Sequence, residues 1–284
     1  MTAKIIDGVA IAKVVKEECR NRVEILKNKG TTPGLAVVIV GEDPASKVYV
    51  RNKIHACEEV GIHSAIHEFP GTASQQEIIT CVRGLNQDPA IHGILVQLPL
   101  PAGIESRRVL EGIAAEKDVD GFHLRNVGAL TVGEPALPPC TPAGIVRMLE
   151  HEKIAIWGQN AVIVGASNIV GKPAALMLLQ RGATVSLCNS KTQNLAQYTI
   201  MADILVVATG RPGIITGPMV KKGATVIDVG INRLSNGKLV GDVDFEGARN
   251  RATYITPVPG GVGPMTVACL VSNTVQAAER AAGI

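Results

Sequence analysis

Tyr49 and Lys53 form the first pair of residues whose types and spacing suggest chemistry. They lie four positions apart in residues 46–60, a segment with helical periodicity, so their side chains share one helix face about one turn apart. A phenol and an amine placed in this way can serve one pocket, and a desolvated lysine can move protons near neutral pH. The same pair also fits a solvated helix surface, since lysine is rarely buried without a partner.

Polar residues at two other positions suit the wall of a pocket. Gln97 follows the apolar run 94–96 and precedes a Leu-Pro-Leu-Pro stretch that bends the chain. An amide at a strand end can hydrogen-bond to an ammonium group without adding a charge, or it can simply cap the strand. Asp118 and Asp120 alternate with Val119, so the two carboxylates point the same way if this segment is extended.

Residues 256–266 are the most unusual stretch of the chain. Their sequence, Thr-Pro-Val-Pro-Gly-Gly-Val-Gly-Pro-Met-Thr, is too rich in proline and glycine for a regular element, and a helical run follows it. Proline fixes φ and removes a donor, while glycine permits positive φ and lets a ligand approach the bare backbone. A rigid turn with Pro264 in the first helical position would also explain the pattern.

Residues 164–173 form a candidate phosphate-binding turn. They follow a strand-like run and precede a helical run at 174–180; Gly165 permits a tight turn, and the N–H groups of a helix N-terminus can face a pyrophosphate. The spacing departs from the usual glycine fingerprint, because Ser167 replaces the middle glycine and Gly171 lies one residue late. A turn that serves packing alone has the same appearance.

The tip of the next predicted strand, residues 188–192, indicates which dinucleotide is preferred. NAD-specific folds place Asp or Glu there against the ribose 2′-hydroxyl, and this tip contains neither. Ser190 and Lys191 can donate to a 2′-phosphate. The sequence therefore favours NADP, although a solvated polar loop would also account for Lys191.

The elements that must position these residues alternate between strands and helices. In the first half, the predicted strands are 35–41, 64–69 and 92–98, and the predicted helices are about 9–29, 46–60, 74–86 and 105–113. Ser46 is the predicted N-cap of the second helix, and Gly61 marks its end. A proline-rich stretch ends at Thr141 and Pro142, predicted to be an N-cap and a first-turn proline, and marks a domain boundary.

The second half predicts a doubly wound parallel sheet. Buried-strand runs occur at 160–165, 183–188, 204–208 and 224–229, separated by segments of helix length,. We predict a two-domain α/β protein: an N-terminal α/β substrate and catalytic domain (1–140), a Rossmann-like NADP-binding domain (141–264), and a C-terminal helix (265–284) that packs back on the first domain.

Composition excludes several classes of protein. With 46% hydrophobic and 2% aromatic residues, the cores must be built from small aliphatic side chains, as in parallel sheets,. A net charge of +3 without a basic run argues against nucleic-acid binding,. Six cysteines without a CxxC pair predict reduced thiols in the cytosol,. We expect no signal peptide, no membrane association, because every apolar run is too short, and no metal, because the histidines lack ligand partners.

Taken together, four segments resemble one family over nearly the whole chain: residues 49–53, 93–101, 117–122 and 256–266. In their order and approximate spacing they resemble the bifunctional methylenetetrahydrofolate dehydrogenase/cyclohydrolase family of one-carbon metabolism. The resemblance implies oxidation of 5,10-methylenetetrahydrofolate by NADP⁺, followed by hydrolysis to 10-formyltetrahydrofolate. It also implies a homodimer and a tetrahydrofolate substrate bound in an interdomain cleft.

The resemblance further assigns roles to single residues. Lys53 is the central catalytic group, Gln97 is its hydrogen-bond partner, and Asp120 binds the N–H and amino donors of the pterin. The implied substrate-binding residues are Tyr49, Lys53, Gln97, Leu98, Asp120, Pro259, Gly260 and Gly261, and the implied cofactor-binding residues are Gly165, Ala166, Ser167, Ser190 and Ile231. Many family members have Arg in place of Ala166, so one expected phosphate contact is missing here.

Two alternative functions stay open at the level of sequence. A dehydrogenase of another small substrate, such as the shikimate type, has a similar architecture, and fold alone does not separate the two. A non-catalytic folate- or nucleotide-binding module would bind both ligands without turnover. The presence of Lys53 argues against that module.

Overall fold

The computed structural model describes residues 2–284, which form two compact units. The three-stranded unit contains Lys13–Cys140 and Val267–Ile284, and the six-stranded unit contains Thr141–Thr266 with the segment that ends at Ala12. The division after Cys140 lies at the proline-rich stretch. The N-terminal segment differs from the predicted domains, since its contacts place it with the second half of the chain.

Strands and helices alternate along the chain. The strands are β1 (Lys4–Ile5), β2 (Gly34–Val40), β3 (His63–Phe69), β4 (Gly93–Val96), β5 (Asn160–Val164), β6 (Thr184–Cys188), β7 (Ile204–Val207), β8 (Thr225–Asp228), β9 (Asn232–Arg233), β10 (Leu239–Val240) and β11 (Tyr254–Ile255). The α-helices are α1 (Gly8–Asn28), α2 (Pro44–Val60), α3 (Gln75–Gln87), α4 (Ser106–Glu111), α5 (Leu124–Val132), α6 (Cys140–His151), α7 (Gly171–Leu179), α8 (Leu195–Thr199), α9 (Phe245–Arg249) and α10 (Val262–Ala281).

The three-stranded unit is built on a parallel sheet with the order β3-β2-β4. Every residue of the central strand β2 is buried, which is why its sequence is apolar without alternation. Buried side chains of α3, including Ile78 and Val82, pack with Val38 and Ile94 of the sheet in one core cluster. The strand ends are therefore fixed by a packed core.

Two predicted helix starts are wrong. Helix α2 begins at Pro44, because the carboxylate of Asp43 accepts a hydrogen bond from the N–H of Ser46 at 2.7 Å and is the N-cap,. Helix α6 begins at Cys140, so Thr141 is already helical, and its hydroxyl bonds to the hydroxyl of Thr266 at 2.9 Å. The predicted end of α2 is confirmed, since Gly61 has φ +85° and a left-handed conformation,.

The six-stranded unit contains a parallel sheet with the order β1-β11-β8-β7-β5-β6. Strand β5 has β6 on one side and β7 on the other, so chain direction across the sheet reverses between β5 and β7. Open α/β sheets bind ligands at the carboxyl ends of their strands near such a switch point. The predicted doubly wound fold is confirmed.

The division between the two units runs through helix α10, and the residues from Val267 onward belong to the three-stranded unit. The amide of Asn273 donates to the carbonyls of Val119 at 2.8 Å and Pro138 at 2.9 Å. Arg22 and Glu279 form a salt bridge in the same unit. The predicted return of the C-terminal helix to the first domain is therefore confirmed.

Candidate active site

Lys53 lies on the inner face of α2, where only 8% of the residue is exposed. Its Nζ donates a hydrogen bond to Oε1 of Gln97 at 3.0 Å. A buried ammonium group needs such partners, because an unpaired charge away from water is costly. The structure thus brings together the two residues that the sequence paired only through a family resemblance.

Gln97 is held in one orientation by its own surroundings. Its backbone N–H donates to the carbonyl of Val38 at 2.9 Å, which continues the pairing of β4 with β2. Its Nε2 donates to the carbonyl of Leu98 at 2.6 Å. Because the amino group is engaged there, the carbonyl oxygen of the side chain is the atom directed at Lys53.

Asp120 is half-buried and lies within electrostatic range of Lys53. Burial raises the pKa of the Asp120 carboxyl, while the positive charge of Lys53 acts in the opposite direction,. The structure therefore places an amine, an amide and a carboxyl group in one unit. A heterocycle with adjacent N–H donors fits the carboxylate of this set.

Asp118, two residues earlier, has a structural role. Its Oδ2 accepts hydrogen bonds from the N–H of His123 at 2.7 Å and from Nδ2 of Asn126 at 2.9 Å. Asp118 is buried, and its backbone forms an isolated parallel β-bridge with Ile94 of strand β4. Asp118 thus holds the loop that presents Asp120.

Tyr49 is 37% exposed, one turn before Lys53 on α2. Partial burial raises the pKa of its phenol, so the ring is neutral at physiological pH and can pack against a flat ligand. Leu98 is half-buried at the end of β4, and the Leu98–Pro99 peptide bond is cis. Both residues lie in the same unit as Lys53.

Asn273 is a residue of this unit that sequence reasoning missed. It is buried in the apolar helix α10, and its amide donates to two carbonyls that flank the Asp120 and Cys140 segments. The available signal was a single Asn within an apolar helical run, since buried amides are retained where they satisfy backbone groups.

Gly165 occupies the switch point of the six-stranded sheet. It has φ +116°, and a Cβ placed on it would lie 2.1 Å from the carbonyl oxygen of Ala208. Its N–H donates to the carbonyl of Cys188 at 2.9 Å. The turn therefore requires glycine, because the backbone of Ala208 occupies the space that a Cβ would need,.

Ser167 and Ala166 continue the turn into α7. The hydroxyl oxygen of Ser167 accepts hydrogen bonds from the N–H groups of Val170 at 3.1 Å and Gly171 at 3.3 Å. Helix α7 begins at Gly171, three residues before the predicted start. The exposed Ser167 hydroxyl therefore stabilises the turn and retains a hydrogen that it can donate outward,.

Ser190 lies in an exposed turn after β6. Within this turn, the N–H of Asn189 donates to the hydroxyl of Thr192 at 2.9 Å, and the N–H of Lys191 donates to Oδ1 of Asn189 at 2.8 Å. These bonds leave the side chains of Ser190 and Lys191 exposed at the carboxyl end of the strand. That is the position predicted to select the 2′-phosphate.

Pro259, Gly260 and Gly261 lie in the six-stranded unit. Gly260 has φ +101°, and the carbonyl oxygen of Gly261 comes so close to Gly8 that a Cβ on Gly8 would lie 1.8 Å from it. Ile231, in the same unit, is 44% exposed, and a Cβ on Gly263 would lie 3.6 Å from its Cδ1. The Pro-Gly loop is thus packed between the start of α1 and the segment of Ile231.

Asp228 and Asp242 are two buried carboxylates that sequence reasoning also missed. Desolvation raises the pKa of Asp228 to about 6, although three backbone N–H groups donate to it. Both residues bind loops at the carboxyl edge of the sheet. Their sequence signal was weak, because a single Asp at a strand end or in a turn is common.

Within residues 2–284, no group of three His, Cys, Asp or Glu side chains could hold a metal ion. In the same range, no helix has the length and apolar character to cross a membrane. None of the six cysteines forms a disulfide in this part of the chain.

These features define the class of protein. A parallel sheet with a glycine turn at its switch point is the framework of dinucleotide-binding folds. A second α/β unit presents a buried lysine, an amide and a carboxyl group. The chain is an α/β protein of the dinucleotide-binding enzyme type.

Comparisons with known proteins identify the family. Residues 6–120 match the catalytic domain of tetrahydrofolate dehydrogenase/cyclohydrolase, and residues 139–282 match the NAD(P)-binding domain of the same family. The chain belongs to the tetrahydrofolate dehydrogenase/cyclohydrolase family. This membership confirms the resemblance that the four sequence segments indicated.

Individual relatives are similar over their full length. The bifunctional protein FolD of Nitrosospira multiformis is 65% identical over 281 residues, which is 99% of this chain and 98% of that protein. The crystal structure of bifunctional FolD from Campylobacter jejuni has a TM-score of 0.96 and 49% identity, covering 98% of this chain and 99% of that one. The Trypanosoma brucei FolD structure, described as complexed with NADP cofactor and inhibitor, has a TM-score of 0.96 and 39% identity over 100% of both chains.

Proposed function

We propose that this protein oxidises 5,10-methylenetetrahydrofolate to 5,10-methenyltetrahydrofolate with NADP⁺ and then hydrolyses the product to 10-formyltetrahydrofolate. The observation that carries the proposal is the hydrogen bond from buried Lys53 to Gln97, inside the segment matched by the family's catalytic domain. Family membership favours this function over a dehydrogenase of another small substrate. The buried lysine favours it over a module that only binds.

Hydrolysis is the step in which this chain's own side chains do the chemistry. Water adds to the methenyl carbon, one carbon–nitrogen bond breaks, and one proton is released overall. Lys53 takes the role of proton carrier between water and the ring nitrogen. Gln97 accepts a hydrogen bond from the ammonium group and fixes its direction without adding a charge.

Asp120 orients the substrate. Two parallel hydrogen bonds from the pterin N–H and amino groups to one carboxylate would give both strength and direction. The loop that carries Asp120 is fixed by Asp118 and Asn273, so its carboxyl group has a defined position. Tyr49 contributes an apolar ring surface, and Leu98 contributes an apolar side chain; we also assign substrate contact to Pro259, Gly260 and Gly261.

The oxidation requires NADP⁺ as the hydride acceptor. The residues that would hold it are Gly165, Ala166, Ser167, Ser190 and Ile231. Two observations support the fit: the Gly165 turn follows β5 at the switch point of the sheet, and the turn at 188–192 contains no carboxylate that would repel a 2′-phosphate,.

We further propose that the protein is a homodimer in the cytosol. Strand β6 is the last strand on its side of the six-stranded sheet, and Leu187 on it is exposed, which supports an interface there because exposed sheet edges invite pairing. Six cysteines without a disulfide among the described residues fit a reducing compartment,. Light scattering coupled to size-exclusion chromatography measures the dimer, and a monomer at micromolar concentration would contradict it.

The function is tested by replacing Lys53 with Met. The purified protein is given methylenetetrahydrofolate with NADP⁺, and in a second assay methenyltetrahydrofolate alone. Because general acid–base catalysis contributes about 10²–10⁴-fold, Lys53→Met should lose at least about 100-fold of the cyclohydrolase rate and still bind NADPH.

Lys47→Met is the matched control, since Lys47 is a half-buried residue of the same helix whose ammonium group pairs with Glu42 rather than with Gln97. It should retain both activities. Full cyclohydrolase activity in Lys53→Met would refute the role of the lysine, and absence of both activities in the unaltered protein would refute the proposed function.

A further inference from the structure

Two loops at the carboxyl edge of the six-stranded sheet are tied together by one side chain. The first follows β7 and contains Thr209 and Gly210, and the second follows β8 and contains Gly230, Ile231 and Asn232. Neither loop is held by regular pairing over its whole length. Their positions therefore depend on other contacts.

Asp242 supplies those contacts. Its Oδ2 accepts hydrogen bonds from the N–H of Thr209 at 2.6 Å, from the N–H of Gly210 at 2.9 Å and from the Thr209 hydroxyl at 3.0 Å. Its Oδ1 accepts one from Nδ2 of Asn232 at 2.8 Å. Asp242 is 0% exposed, so the hydrogen bonds of its carboxylate come from the two loops and not from solvent.

Asp228 fixes the segment that carries Asp242. Its Oδ1 accepts hydrogen bonds from the N–H of Gly230 at 3.0 Å and of Asp242 at 2.9 Å, and its Oδ2 accepts one from the N–H of Val243 at 2.9 Å. A Cβ on Gly230 would lie 2.2 Å from Oδ1 of Asp242. The end of β8 and the following loop are therefore packed closely against Asp242.

Ile231 lies at the centre of this arrangement. Gly230, on one side of it, is bound by Asp228, and Asn232, on the other side, is bound by Asp242. The Ile231 side chain is nevertheless 44% exposed at the edge where such sheets bind ligands,. The backbone around Ile231 is fixed by hydrogen bonds while its apolar side chain is exposed, and a preorganised ligand contact needs both properties.

We propose that Asp242 is a positioning residue for the dinucleotide: it holds the 209–210 and 230–232 loops in the arrangement that binds the cofactor. Asp242 does not contact the cofactor itself. The inference rests on the proposed function for the identity of the cofactor, and it adds a residue and a mechanism of preorganisation.

The geometry predicts what each substitution does. In Asp242→Asn, the less costly orientation keeps the amide oxygen on the three donors of the first loop and turns its NH₂ group toward Nδ2 of Asn232, where two donors oppose each other. Rotation of the Asn232 amide presents its oxygen to the new NH₂ group, so a neutral hydrogen bond replaces the charge-assisted one. Asn232→Ala removes the hydrogen bond between Asp242 and the second loop, and the alanine side chain has no group that could replace it.

The experiment measures NADPH binding by its fluorescence, dehydrogenase KM and kcat, cyclohydrolase rate on methenyltetrahydrofolate, and thermal midpoint. Asn232→Ala should weaken NADPH binding about tenfold, as expected from one charge-assisted hydrogen bond, and Asp242→Asn should weaken it less, because rotation of the Asn232 amide remakes the bond. The double variant should be little worse than Asn232→Ala alone, because both substitutions act on the same hydrogen bond,. The cyclohydrolase rate should change less than about twofold, since that reaction uses no cofactor.

Asp203→Asn is the matched control. Asp203 also accepts a backbone hydrogen bond, from the N–H of Asn160 at 3.0 Å, but it precedes β7 at the amino end of the same sheet. It should lose stability without weakening NADPH binding.

Three results would overturn the inference: unchanged NADPH affinity in Asn232→Ala, an equal loss of affinity in Asp203→Asn, or strictly additive losses in the double variant. If Asp242→Asn does not fold, Asn232→Ala alone decides. Failure of the proposed function would be distinct, because the unaltered protein would then bind NADPH without folate turnover.

Discussion

Thr256→Val tests how the strand ends beneath the Pro-Gly loop are held. Thr256 is fully buried, and its hydroxyl oxygen accepts a hydrogen bond from the backbone N–H of Asp228 at 2.8 Å. Valine has nearly the same shape but no acceptor. The substitution therefore leaves the Asp228 N–H buried and unpaired, since no water reaches the site to replace the lost oxygen.

The expected cost follows chiefly from that N–H group, because the bond that the Thr256 hydroxyl donates to the carbonyl of Asp228 is long, at 3.5 Å,. A buried donor without a partner costs about 1–3 kcal/mol, so we expect a loss of about 2 kcal/mol. For a unit of this size that corresponds to roughly 4–8 °C in the thermal midpoint. The backbone N–H of Thr256 still donates to the carbonyl of Val226 at 3.0 Å, so the strand itself should remain paired.

Thr199→Val is the matched control in the same unit. Thr199 is equally buried, but its hydroxyl donates to the carbonyl of Ala196 at 3.3 Å, and that carbonyl also accepts the N–H of Ile200 at 3.0 Å. No buried group is orphaned, so the cost should stay below about 1 kcal/mol.

Urea unfolding of both variants is followed by circular dichroism and by the fluorescence of Trp157, which lies in the same unit. Equal losses of unfolding free energy in Thr256→Val and Thr199→Val would refute the reasoning, because only Thr256→Val leaves a buried N–H group without a hydrogen-bond partner.

Two further predictions concern the same sheet. Gly165→Ala should weaken NADPH binding at least about tenfold and destabilise the unit by about 1–3 kcal/mol, because its Cβ would lie 2.1 Å from the Ala208 oxygen at φ +116°,. Gly210→Ala is the control, since Gly210 has φ +67° and nothing lies within 4 Å of its Cβ position. In this control the thermal midpoint should fall only by the amount that backbone strain causes. Asp228 has a pKa raised from 3.8 to about 6 by desolvation, so the folded state binds its proton more tightly and its contribution to stability is lost as pH rises through 6. Between pH 4 and 7 the free energy of unfolding of the unaltered protein should fall by about 2–3 kcal/mol through this group, a pH dependence that Asp228→Asn lacks; parallel pH profiles of urea unfolding for the two proteins would contradict this.

The long strands were predictable because their apolar runs have no other stable location than a covered parallel sheet. Strands β5 to β8 lie within one or two residues of the predicted runs. The two-residue strands β1, β9, β10 and β11 were not predicted, because two residues carry no periodicity. The N-cap of α2 was misplaced because both Asp43 and Ser46 are good caps, and only the backbone decides which side chain accepts the bond,.

The sequence by itself determined the fold class, the family, and the candidate residues Lys53, Gln97 and Asp120, because these depend on local patterns and on motif order along the chain. The tertiary structure alone decided that Lys53 bonds to Gln97 at 3.0 Å and that Asp242 joins two loops that are more than twenty positions apart. Such contacts arise when strands distant in sequence end at one edge of a sheet. The position of a side chain there depends on the packing of the whole unit, which no local pattern encodes.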